Sequence, residues 1–222
     1  MVDLWTTLVP LVIGSAIVPV QILITVLLVR NSLRTASAWV AGMAAVRLAQ
    51  GVLFGFVFYQ VVATSGSAAG PGIVGSSLLL VLSVLFYVTA LRKALADRDA
   101  PPPKWMDKVG SLSSSGAFGA GSAYVAVAPK FWVFTLGAIG AIADAKLGAP
   151  ASVLAFLAFV VLALSGNLAI LAFAAVAPGR AATALDGFAD ALKRRDRVIT
   201  VVLGVVFGTW FLVKALSGFG IV

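Results

Sequence analysis

Six long apolar runs, at about residues 4–29, 35–62, 73–91, 116–142, 149–177 and 197–218, leave this chain few folds to choose from. Each is long enough to cross a hydrocarbon layer of about 30 Å, which takes about 20 helical residues at 1.5 Å apiece. Inside lipid every peptide group must find its partner within the chain, and a helix does that segment by segment. The expected fold is an all-α integral membrane protein with six transmembrane helices. Composition agrees, because 61% of residues are hydrophobic and 11% charged, against about 25% charged in soluble domains. Mean hydropathy is +1.10. The first run carries Asp3 where a signal peptide would have a basic region, and no cleavage site follows a short apolar stretch, so it reads as a retained helix.

Charge placement sets the expected orientation. Twelve of the 16 basic residues fall in three segments: Arg30 and Arg34; Arg92, Lys93, Arg98, Lys104 and Lys108; and Arg180, Lys193, Arg194, Arg195 and Arg197. By the positive-inside rule these segments are cytoplasmic, which puts both termini on the extracytoplasmic side of the cell membrane. A net charge of +8 could suggest nucleic acid, but the cations gather at membrane edges rather than on an aqueous surface, so no nucleic-acid partner is expected. His, Cys and Glu are absent and all eight acids are Asp. Thiol redox chemistry and soft or imidazole metal sites are thereby excluded, and no cofactor is expected.

Three crossings per half with both ends on one side imply two inverted three-helix repeats, residues 1–110 with the cytoplasmic loop at about 92–115, and residues 111–222. Gly14-Ser15-Ala16 followed by Pro19 in the first run is echoed by Gly121-Ser122-Ala123 followed by Pro129 in the fourth. Each proline removes a backbone hydrogen bond and crowds the preceding turn, so helices 1 and 4 should be broken. Paired breaks in inverted halves are the strongest sequence pointer to a transporter's central binding site. Two cations lie deep in their runs, Arg47 at roughly 18 Å and Lys130 at roughly 20 Å from the run's start by helical rise. A mid-helix charge costs about 2.5–3.5 kcal/mol and faces inward toward a partner. No acid lies at that depth, so the expected partners are carbonyls freed at the breaks, Gln21, Gln50, Asn167 or an anionic part of a substrate. The expected substrate-binding and translocation residues are Pro19, Gln21, Arg47, Gln50, Pro129, Lys130 and Asn167. Lys130 is the one plausible titrating group among them, so either it couples protons, or transport is passive, or a partner supplies the energy.

The proline-broken first helix, here Pro19-Val20-Gln21, and Ala128-Pro129-Lys130 in the fourth resemble the Pro-Gly-Pro and Asn-Pro-Lys motifs of the LysE-type exporter superfamily. Residues 18–55 and the "PPPKWMD" of the cytoplasmic loop are closer to one branch of it, the Gap-like glycolipid-addressing proteins of actinobacteria. That resemblance implies an inner-membrane protein that helps carry glycolipids, such as glycopeptidolipids or sulfolipids, to the mycobacterial cell surface beside a larger lipid transporter. The alternatives are a small-solute exporter for amino acids or organic anions, and a non-transporting scaffold of a lipid-export complex. An enzyme is not expected, since neither the membrane runs nor any sizeable aqueous domain holds a catalytic acid–base pair. No GxxxxGK[ST] is present to drive it with ATP.

Two GxxxG pairs, Gly51 with Gly55 and Gly204 with Gly208, suit close helix packing, within the chain or in a homodimer. In the cytoplasmic loop, "APPPK" reads as a stiff spacer and Trp105, Met106, Val109 and Leu112 as a short helix lying on membrane lipids, with a docking site for a partner as the alternative. "ALKRRDR" reads as a topology anchor.

Overall fold

The computed structural model describes residues 2–65, 72–95 and 105–221, and among these helices are the only regular elements. The helices are α1 (Val2–Ala16), α2 (Pro19–Asn31), α3 (Leu33–Ser65), α4 (Gly72–Leu95), α5 (Trp105–Gly110), α6 (Ser114–Val127), α7 (Pro129–Asp144), α8 (Ala149–Ala163), α9 (Ser165–Val176) and α10 (Pro178–Gly218). Arg98 and the stretch 100–104, with the side chains of Asp3, Trp105, Met106, Arg180 and Lys193, lie outside the described residues.

Each apolar run is helical, but three are interrupted. Leu33–Gly55 of α3 and Arg194–Gly218 of α10 are long and apolar enough to cross a membrane unbroken. The pairs α1–α2, α6–α7 and α8–α9 bend by 50°, 73° and 62° at their breaks. The described residues thus hold two to five candidate spans, according to whether each bent pair crosses as one. The run at 73–91 forms α4, which is not among those candidates. The polarity of the fold is that of a membrane protein: Val176 is 86% exposed and Val127 78%, while the Arg47 side chain is 0% exposed.

The prolines act as expected. Pro19 and Pro129 are the first residues of α2 and α7, where a missing N–H costs nothing and the fixed φ suits the helix. Val18 and Ala128 before them are extended, as a residue preceding proline prefers. The third break, at Leu164, contains no proline.

The chain packs as two compact units. The first comprises Met1–Gly66 and Pro102–Ala191. In it α3 runs along α6 and also meets α2, α7, α8 and α9, while α1 lies against α7 and α8. Glycine makes the α3–α6 contact possible: a Cβ on Gly42 would sit 2.1 Å from the Phe118 carbonyl oxygen, and one on Gly121 2.2 Å from that of Trp39. Lipid tails are as apolar as leucine, so association in a membrane leans on such close backbone approach rather than on water exclusion. The Ser122 hydroxyl adds a 3.3 Å hydrogen bond to the Gly42 carbonyl across this contact. Leu8, Leu11, Val26, Leu28, Met43, Val125, Phe134 and Phe159 fill the remaining core. The short helix expected at 105–112 ends at Gly110, and Leu112 falls beyond it, because Ser113 caps α6 by accepting from the Gly116 amide at 3.1 Å.

The second unit comprises Ser67–Pro101 and Leu192–Val222. Here α4 meets the later turns of α10. A Cβ on Gly204 would lie 2.6 Å from that of Ala90, and one on Gly208 3.2 Å from the Tyr87 ring, so this GxxxG pair is used within the chain. The Ser83 hydroxyl donates to the Gly208 carbonyl at 2.8 Å, and Tyr87 and Thr209 share a 2.7 Å bond. At one end Lys93 pairs with Asp196 at 2.5 Å and Arg197 donates to the Ala94 carbonyl.

Candidate functional site

At the heart of the first unit a chain of buried polar side chains crosses five helices. Its terminus on α9 is Asn167, whose Oδ1 lies 2.8 Å from the Thr25 hydroxyl of α2; that hydroxyl is shared with the Gln21 carbonyl at 2.9 Å. Gln21 Nε2 in turn donates to the Ser15 carbonyl at 2.8 Å, closing the carbonyl that the α1–α2 break leaves without a helical partner. Ser15 Oγ accepts from an Arg47 terminal nitrogen at 2.6 Å, and the other terminal nitrogen reaches Thr135 Oγ1 of α7 at 3.4 Å. Ser15, Gln21, Thr25, Arg47, Thr135 and Asn167 are all 0% exposed.

The guanidinium has hydroxyls and a ring around it, and no carboxylate. Its Cζ lies 5.1 Å from the centre of the Phe131 ring. Lys130 shares that ring, its Nζ 5.2 Å from the same centre and 5.8 Å from that of Tyr124. Two cations thus lean on one aromatic face system, each attracted by the ring quadrupole. Lys130 also stands in the first turn of α7, where the helix dipole is already positive, so the α7 start is strongly electropositive. Tyr124 continues the aromatic row to Trp39, with ring centres 5.1 Å and 5.5 Å apart.

Several buried atoms of the cluster have no hydrogen-bonding partner among the described residues: Arg47 Nε, Gln21 Oε1, both amide atoms of Gln50, Asn167 Nδ2, Tyr124 Oη and Trp39 Nε1. A buried polar atom left unmatched costs about 1–3 kcal/mol, so a concentration of them in one place marks a site built to meet something else.

The structure therefore gathers Gln21, Arg47 and Asn167 into one network. Gln50, 3% exposed, lies three residues beyond Arg47 on α3. Pro19 and Pro129 open the half-helices that frame the cluster, and Lys130 joins it through Phe131. Arg47 takes none of the protein partners expected for it. The hydroxyls of Ser15 and Thr135 hold it instead. Ser15 entered the sequence reading only as part of the repeated Gly-Ser-Ala, and Thr25 and Thr135 escaped notice, yet a signal was there: Thr25 follows Pro19 by six residues and Thr135 follows Pro129 by six.

Among the described residues, no group of three or more metal-ligating side chains could hold a metal ion. No curated protein and no solved structure matches the chain. The likeness to Gap-like glycolipid-addressing proteins agrees with a match spanning residues 8–217, nearly the whole chain, and the protein belongs to the family described as SfLAP: Sap, sulfolipid-1-addressing protein.

Proposed function

We propose that the protein helps a glycolipid, of the sulfolipid kind for which its family is named, reach the cell surface, acting as a LysE-like carrier in the inner membrane and not as an enzyme. The observation that carries this reading is Arg47, a fully buried cation bridging the two proline-broken helices through Ser15 and Thr135. A charge held at that depth is expensive and marks a pathway or a ligand site in membrane proteins.

The six-span inverted repeat, residues 1–110 against 111–222 with both termini outside, belongs to the same proposal. Its support is a reciprocity across the halves. Thr25 of the first broken helix is bonded to Asn167 in the second half, and Thr135 of the second broken helix accepts from Arg47 in the first. Each half thus holds the other at its break, where rocking of one repeat against the other would open the site. A larger lipid transporter is the expected partner.

The test is the surface-lipid profile of the native host lacking this protein, complemented with wild type, Arg47→Gln or Lys130→Ala, with membrane insertion checked for each. Return of one glycolipid class to the surface with wild type and not with Arg47→Gln is the expected result. Unchanged surface lipids in the deletion strain would sink the reading.

A further inference from the structure

The groups around Arg47 are donors without an acceptor. A guanidinium only donates, so Ser15 Oγ and Thr135 Oγ1 are both acceptors in the bonds it makes. Each hydroxyl therefore keeps its own proton free, and among the described residues neither makes a further hydrogen bond. Arg47 adds its Nε N–H, which has no partner among the described residues. Among the described residues no carboxylate pairs with the guanidinium. On either side, α2 and α7 begin at Val18 and Ala128 with no side-chain cap, so their first-turn amides lend further positive potential. These free O–H and N–H protons, and a charge with no carboxylate beside it among the described residues, all on side chains that are 0% exposed, ask for a negative ion small enough to be enclosed and willing to lose its water.

We propose that Ser15, Arg47 and Thr135 form an internal site for a small inorganic monoanion, chloride being the fitting case, which serves as counter-ion to the buried guanidinium. A lipid headgroup could reach the same donors only after the halves part, since in the closed arrangement none of the three side chains is accessible. The ion then holds the site while the lipid is absent and leaves when a headgroup replaces it. The inference rests on the reading of this cluster as the working centre, and on no particular lipid.

The experiment is a chloride titration of the purified full-length protein in zwitterionic nanodiscs, against gluconate at constant ionic strength, with Tm as readout. A ligand that binds only the folded state raises Tm saturably; the expected shift is about 5 °C at chloride far above the dissociation constant. Thr135→Val and Ser15→Ala should each weaken the apparent chloride affinity about tenfold, the loss of one hydrogen bond to a charged group. Arg47→Gln should abolish the response; should it fail to fold, the two hydroxyl variants decide. Methyl sulfate, a soluble sulfate ester, tests the source: if it displaces chloride, the same donors take a headgroup, and if it does not, the site is specific for the small ion. An equal Tm in chloride and gluconate, or an unaltered chloride response in the variants, would overturn the proposal. Because no glycolipid is present, such a failure leaves the lipid reading standing, and chloride binding with an unchanged surface-lipid profile would sink only the lipid reading.

Discussion

Two glycines two residues apart on α6 should respond to alanine with opposite signs. A Cβ on Gly121 would lie 2.2 Å from the Trp39 carbonyl oxygen, whereas real Cβ contacts essentially never fall below 3.0 Å. Helices α3 and α6 must therefore separate by about 0.8 Å, the difference between those distances. Overpacking of this kind costs about 1–3 kcal/mol. Alanine recovers about 0.5–1 kcal/mol of helix propensity, which leaves a net loss of about 1–2 kcal/mol. Gly119, with nothing within 4 Å of its virtual Cβ, meets only the favourable term, so Gly119→Ala should stabilise by about 0.5–1 kcal/mol. Displacement of α3 also carries Arg47 away from Thr135, where the 3.4 Å bond has no slack. Gly121→Ala should consequently lower surface-lipid display as well. Unfolding of both purified variants in SDS-titrated micelles measures the stabilities, and equal values for the two would refute the reasoning.

The cross-half link should appear as a coupling energy. In a double-mutant cycle of Thr25→Val and Asn167→Leu, the interaction should be about 0.6 kcal/mol and at most about 1.7 kcal/mol, the range for hydrogen bonds between membrane helices; strict additivity would mean that the 2.8 Å bond is idle. Trp132 Nε1 donates at 2.7 Å to the Ala126 carbonyl, beside the α6–α7 break. Trp132→Phe keeps an aromatic ring against Phe54 and removes only that donor, so it should destabilise by about 0.5–1.5 kcal/mol in the same micelle assay. Wild-type stability would show that the carbonyl finds another partner.

What could be read in advance follows from which signals survive an apolar background. Helix positions came from hydropathy, and the breaks at Val18 and Ala128 from their prolines, whose covalent chemistry acts whatever the neighbours do. Arg47 stood out because a charge in lipid needs a reason. The break at Leu164 gave no such sign. It lies two residues from Gly166, whose virtual Cβ is 3.2 Å from the Ala16 carbonyl oxygen, so this bend sits against the first one and arises from tertiary packing. Ser15, Thr25 and Thr135 were hidden for a related reason. A lone hydroxyl in a helix bonds its own backbone as readily as a distant cation, and only the folded arrangement distinguishes the two.

A cation fixed in the membrane without a matching carboxylate also has an electrical consequence. With no acid among the described residues to cancel it, Arg47 makes the interior of the first unit a well for negative charge and a wall for positive charge. A cell interior is electrically negative, so an anionic group leaving past Arg47 moves down the membrane potential and gains about 2.3 kcal/mol per charge at 100 mV. If the proposed export carries one negative charge outward per cycle, it needs no nucleotide and no proton gradient for that step, and its rate rises with the resting voltage of the membrane.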